Sequence, residues 1–169
     1  YYSKGEGSST ANPVWQYIGT PLQADKTAIS MYYKAWMCRW TNASDGSLGG
    51  LWQWVENEDV LEPFEGYCIT QEAPKTYTLA GKLNQPVTQR IILDNRDADG
   101  YAFAANSWTA PIKIQEMADG DFTNAEKSIY IYYTGSYKEW EGQPEINDNI
   151  VTKRGQYGVV PIHSAPYVA

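Results

Sequence analysis

Apolar and polar residues alternate in short bursts along this chain. Trp15–Ile18, Trp36–Trp40, Leu51–Val55, Gly66–Ile69 and Thr76–Leu79 are aromatic or β-branched runs of strand length, and so are Gln89–Leu93, Tyr101–Ala104, Ser128–Tyr133 and Tyr157–Val160. Turn dipeptides separate them: Asp45-Gly46, Gly49-Gly50, Asp99-Gly100, Asp119-Gly120, Thr134-Gly135 and Glu141-Gly142. The period is two. Leu51, Gln53 and Val55 fall on one face of their strand, with Trp52 and Trp54 on the other; Ile129, Ile131 and Tyr133 oppose Tyr130 and Tyr132. Helical spacing is confined to two places. Asp25–Tyr33 reads as two turns capped by Asp25, with Ala28, Ile29 and Tyr32 on one side, and Ile112–Met117 reads as a shorter turn. The pattern predicts an all-β protein, an antiparallel β-sandwich of jelly-roll type with at most one or two short helices.

Composition sharpens this picture. Aromatics make up 14% of the chain, but they are 14 Tyr and 7 Trp against 3 Phe. Tyr and Trp join an apolar body to a polar tip, which suits half-wet strands and exposed contact surfaces. The net charge of -7 argues against nucleic acid, since no basic cluster is present to displace counterions from phosphate. No apolar run reaches the roughly 18 residues of a membrane span.

Residues 1–12, rich in Ser, Gly and Thr, read as a linker or a loose first strand ahead of a single sandwich domain over 13–169. Together with a chain end that directly follows a strand-like run, this predicts a mature form or a piece cut from a longer protein. Within 13–169 the order of events repeats. Trp15–Leu22 aligns with Tyr101–Trp108, Ala35–Trp40 with Ser128–Tyr133, and Pro63-Phe64 with Pro161-Ile162, giving half-repeats of about 13–69 and 76–169.

These units resemble a β repeat of secreted and surface proteins of the Bacteroidetes, often placed just upstream of a type IX sorting tail. The repeat is marked by a Gly-Trp-Asn-Leu-Ile-Gly-Asn-Pro-Tyr-Pro-Ser strand and corner, an Ile-Tyr-Val-Trp strand, and a close in Gly-Gln-Gly-Phe-Phe-Val. The corner is matched by Trp15–Leu22 and Tyr101–Trp108, and the middle strand by Ser128–Tyr133 with Gly135–Tyr137. The close is matched by Leu61–Ile69 and Val160–Val168, and Tyr77–Asn84 is similar to the Phe-x-Gly-x-Leu-Asn strand between halves. In the Asn-Pro of the corner, Thr20 replaces the Asn of the first copy and Ser107 the Pro of the second; the closing Gly-Gln-Gly is missing from both halves. The resemblance implies an exported, extracellular or outer-surface β module that works beside other domains of a longer chain or other surface proteins.

Four sets of residues carry candidate chemistry. Trp36, Trp40, Trp52, Trp54, Trp108 and Trp140, with Tyr132, Tyr133 and Tyr137, supply flat rings that stack on sugars, fill a core or form a protein interface. Asn95, Asp97 and Asp99 before Gly100 match the opening of a calcium loop, but the twelfth position is Asn106 where a bidentate Glu belongs; a polar turn explains the same residues. Glu56, Glu58, Asp59, Glu62 and Glu65 crowd one connection, as a glycosidase acid pair or as a solvated loop. Cys38 and Cys68 allow one disulfide or two buried free thiols, and their spacing fits neither zinc nor a redox Cys-x-x-Cys. His163 is the single histidine and has no nucleophile elbow beside it.

The expected function is a noncatalytic module of an exported surface protein, with a role in adhesion, assembly or spacing. The alternative is a carbohydrate-binding module built on an exposed Trp/Tyr platform, and no catalytic residue is assigned. No cofactor is required by this reading, calcium being the one candidate.

Overall fold

A computed structural model describes residues 2–3, 15–42, 50–71, 75–85, 102–133 and 156–162. The fold is mostly all-β, with antiparallel sheets and, among the described residues, one short α-helix, consistent with the β-sandwich-like class expected from the pattern. It divides into two compact units, Tyr1–Pro111 and Ile112–Ala169.

In the first unit, strands β2 (Gln16–Ile18), β3 (Trp36–Asn42), β4 (Gly50–Trp54) and β5 (Tyr67–Thr70) form one sheet in the order β2-β5-β3-β4. A short ladder pairs β1 (Tyr2–Ser3) with β6 (Lys75–Thr76). Alternation along the sheet separates two faces. Ile18, Tyr67, Ile69 and Met37 point to one of them, where Leu22, Leu61, Tyr77, the helix residues Ala28 and Met31 and the following Tyr32 close a core. Burying each large apolar side chain there stabilises the fold by roughly 1.5–3 kcal/mol.

Helix α1 (Ala28–Met31) is shorter than the two turns expected, and Asp25 does not cap it. Thr27 holds the N-cap position without a side-chain bond. The first helical N–H groups go instead to main-chain carbonyls of the following connection, Ala28 to Asp59 (2.8 Å) and Ile29 to Asn57 (3.0 Å). That pairing meets the need a capping side chain would meet.

Around Ser107 a buried polar corner holds the connections. The Thr20 hydroxyl accepts the Leu22 N–H (3.2 Å), closing the turn at Pro21. The Ser107 hydroxyl accepts the Phe64 N–H (2.7 Å), and Asn84 donates its amide to the Ser107 carbonyl (3.1 Å). The Thr20 and Ser107 hydroxyls therefore both accept main-chain hydrogen bonds that fix this corner.

In the second unit, β7 (Ser128–Tyr133) pairs with β8 (Gln156–Pro161). The helical turn expected at 112–117 is a single 3-10 turn, Ile114–Glu116, and another follows at Asp119–Asp121. Lys127 ties this segment down through an ion pair to Asp119 (2.9 Å), and its carbonyl accepts the Ile162 N–H (3.0 Å). Of the expected strands, Thr76–Leu79 overlaps β6 (Lys75–Thr76) at Thr76 alone and, from Tyr101–Ala104, Ala104 makes an isolated bridge to Glu65; Gln89–Leu93 lies outside the described residues.

Candidate functional site

The face of the four-stranded sheet opposite the core is aromatic. In register across it run Tyr17, Cys68, Cys38 and Trp54, followed by the pair Trp40 and Trp52. Directly opposed residues put their side chains on the same face, and so do residues two apart on a strand. Trp36 and Trp40 therefore flank Cys38 on this face, and Trp15 lies two residues before Tyr17. Of the six candidate tryptophans, four, Trp36, Trp40, Trp52 and Trp54, share this face.

The rings interlock rather than lie flat. Tyr17 stacks on Trp52 (centroids 6.1 Å apart, planes at 29°), whereas Trp40 meets Trp52 edge-on (5.3 Å, 76°). Phe103 inserts its ring edge-on against both Tyr17 (4.7 Å) and Trp52 (5.4 Å), and Trp15 tilts against Trp54 (6.1 Å). Such pairings follow from the ring quadrupole, negative over the face and positive at the edge. Trp36, Trp52 and Trp54 nevertheless keep 37%, 42% and 57% of their surface in solvent. The buried Trp40 indole N–H has no acceptor among the described residues.

Phe103 reaches this cluster because its segment crosses the sheet edge closely. Gly66 donates its N–H to the Phe103 carbonyl (2.9 Å), and Ala105 donates to Phe64 (3.1 Å). Two glycines permit the approach: a Cβ on Gly19 would stand 2.3 Å from that of Ala105, and one on Gly66 would stand 2.5 Å from the Phe103 ring.

Beneath the rings, Cys38 and Cys68 are both buried and reduced. Burial raises both thiols above their ordinary value of 9.0, and burial together with the neighbouring Cys38 pushes Cys68 up to about 12.

Other candidate residues lie elsewhere. Trp108 packs edge-on against Phe64 (4.8 Å) and donates its indole N–H to the Gln85 carbonyl (3.2 Å). Tyr132 pairs with Tyr157 in the second unit (5.1 Å). Of the five clustered acids, Glu56, Glu58 and Glu62 are exposed. Asp59 is held by Arg39, and Glu65 accepts a hydrogen bond from the Tyr67 hydroxyl, so each of the two less exposed acids is already engaged. Burial, followed by the bond to Glu65, pushes the Tyr67 phenol far above its ordinary value of 10.0. Asn95, Asp97, Asp99, Tyr137, Trp140 and His163 lie outside the described residues, as does the Tyr133 side chain. No cluster of metal-ligating side chains occurs among the described residues, and no helix among them is long and apolar enough to cross a membrane.

Sequence reasoning missed Trp15, Tyr17 and Phe103 as members of the aromatic face. For the first two the signal was present in the alternation Trp15-Gln16-Tyr17-Ile18. Phe103 arrives from a distant segment through a glycine contact that no local pattern shows. Compared with family models, curated proteins and solved structures, the chain matches none.

Proposed function

We propose that this chain is a noncatalytic β module of an exported bacterial surface or secreted protein, serving adhesion, assembly or spacing, and that the aromatic sheet face is its contact surface. One observation carries the reading: Trp36, Trp52 and Trp54 stay partly exposed on the face opposite the core, within an otherwise packed aromatic cluster. Wet tryptophan over a rigid sheet is the composition of an interface centre. The resemblance to the Bacteroidetes surface repeat supports export and a place beside other domains.

A second reading is carbohydrate binding, favoured by the 57% exposure of Trp54. Against it stands the edge-on packing, which leaves no shared plane for a run of sugar rings. The test is a glycan array with tryptophan fluorescence titration, run beside sedimentation analysis of the chain alone and mixed with surface proteins of its source. Protein association lost in a Trp36→Ala/Trp54→Ala variant that keeps its fold supports the contact module. Saturable glycan binding lost in the same variant moves the assignment to the second reading, and no association of either kind overturns both the contact surface and the glycan site.

A further inference from the structure

The middle of the four-stranded sheet carries a second chemistry, independent of whatever the aromatic face contacts. Cys38 on β3 and Cys68 on β5 stand directly opposite each other in the ladder. The Met37 carbonyl accepts the Val55 N–H on the β4 side (3.0 Å). Main-chain groups alternate in direction along a strand, so those of Cys38 turn toward β5. The cysteines then form a hydrogen-bonded antiparallel pair, whose Cα atoms lie about 5.5 Å apart. A disulfide needs Cα atoms roughly 4.4–6.8 Å apart, which this pair meets. It also needs Cβ atoms roughly 3.5–4.5 Å apart, which a hydrogen-bonded pair at about 4.5–5.5 Å reaches by a small local closing of the strands. Both side chains project to the same face, both are buried, and the two thiols are hydrogen-bonded to each other.

We propose that Cys38 and Cys68 are a disulfide site, closing an intrachain cross-strand bond between β3 and β5 when the chain folds in the presence of a small-molecule disulfide such as oxidised glutathione. One thiolate attacks the glutathione disulfide, forming a mixed disulfide and releasing one glutathione thiolate. The second cysteine thiolate then attacks the protein sulfur of that mixed disulfide and expels the other glutathione. In sum, two protein thiols are oxidised to one disulfide and one glutathione disulfide is reduced to two thiols. The bond closes a loop of about 30 residues. It lies in the floor of the aromatic face, between Tyr17 on β2 and Trp54 on β4. Burial keeps the thiolate fraction of the folded, reduced chain low, so the reaction belongs to folding or to opening of the sheet rather than to the closed state.

The test refolds the reduced full chain from guanidinium chloride into mixed reduced and oxidised glutathione. Free thiols are then trapped with iodoacetamide and the product is weighed. The expected product is a monomer lighter by two hydrogens, with no trapped thiol and with the Cys38 and Cys68 peptides joined. It melts about 10 °C above the reduced chain, and dithiothreitol reverses the gain. Cys38→Ala and Cys68→Ala each retain one thiol for trapping or for glutathione. The same mass and thiol count on chain secreted to a bacterial periplasm gives a reading independent of refolding. Two trapped thiols in either sample, glutathione adducts on the unaltered chain, covalent dimers, or an intrachain bond that lowers the melting temperature would overturn the proposal.

Discussion

Phe103 lies on Gly66 so closely that a Cβ at Gly66 would meet three of its ring atoms, the nearest at 2.5 Å and the farthest at 2.9 Å. The missing side chain brings a distant segment onto the aromatic face, and the ring it delivers touches both Tyr17 and Trp52. Gly66→Ala is expected to lower stability by about 1–3 kcal/mol, the usual cost of overpacking. It should also change tryptophan emission, since the ring it displaces lies on Trp52. Adding Phe103→Ala removes the clash, so the double variant should lose less than the sum of the two single losses in urea titrations. Strict additivity would count against the contact.

Phe64 follows Pro63 in a tight turn and has a φ of 67°, a backbone region costly to residues with a Cβ. Two contacts hold it there: its N–H donates to Ser107, and its ring packs on Trp108. Removing the ring loses the Trp108 contact in any variant, but only glycine also relieves the backbone. Phe64→Gly should therefore be more stable than Phe64→Ala by about 1 kcal/mol, although it deletes one more carbon. Equal urea midpoints for the two variants would show that the turn carries no such cost.

These two sites mark where the sequence stops being legible. Period-two alternation placed β3, β4, β5, β7 and β8 to within a residue or two, because a sheet with one buried face leaves that signature locally. It also placed Trp52 and Trp54 on one face, which the sheet register shows they share with Trp36 and Trp40. The arrival of Phe103 over Gly66 and the bond from Phe64 to Ser107 join residues about 40 positions apart, and nothing in either local run announces them. The helix at Ala28 fell short for the same reason. Its donors are satisfied by Asn57 and Asp59 from a later connection, so no capping side chain was needed in the sequence.

Trp52 and Trp54 lie two residues apart on the same face but do different work. Trp52 touches Tyr17, Trp40 and Phe103, whereas Trp54 touches Trp15 and is the more exposed. Trp52→Ala should cost about 2–4 kcal/mol, in the range of large-to-small changes in packed clusters. Trp54→Ala should cost under about 1 kcal/mol, as a change at a largely exposed position does. Chemical denaturation of the two variants checks the order. A Trp54→Ala chain as unstable as Trp52→Ala would remove the case for Trp54 as a contact residue available to a partner.

Alkaline pH tests the burial of the thiol pair and the phenol together. In the unfolded chain the thiols titrate near 9.0 and tyrosine near 10.0. In the folded chain burial raises Cys38, Cys68 and Tyr67, with Cys68 at about 12. Between these values the folded state binds more protons than the unfolded state, so stability falls as pH rises. The contribution of Cys68 is complete below about pH 9 and is lost as the pH climbs through about 12. For the chain kept reduced, the urea midpoint should decline steadily above about pH 9, with thiolate absorbance appearing only as the sheet unfolds. Cys68→Ala removes the largest thiol share, leaving a shallower decline dominated by Tyr67 above about pH 10. Thiolate absorbance growing in near pH 9 while the sheet stays intact would mean that the two sulfurs are open to water. That result would undercut the buried floor beneath the aromatic face.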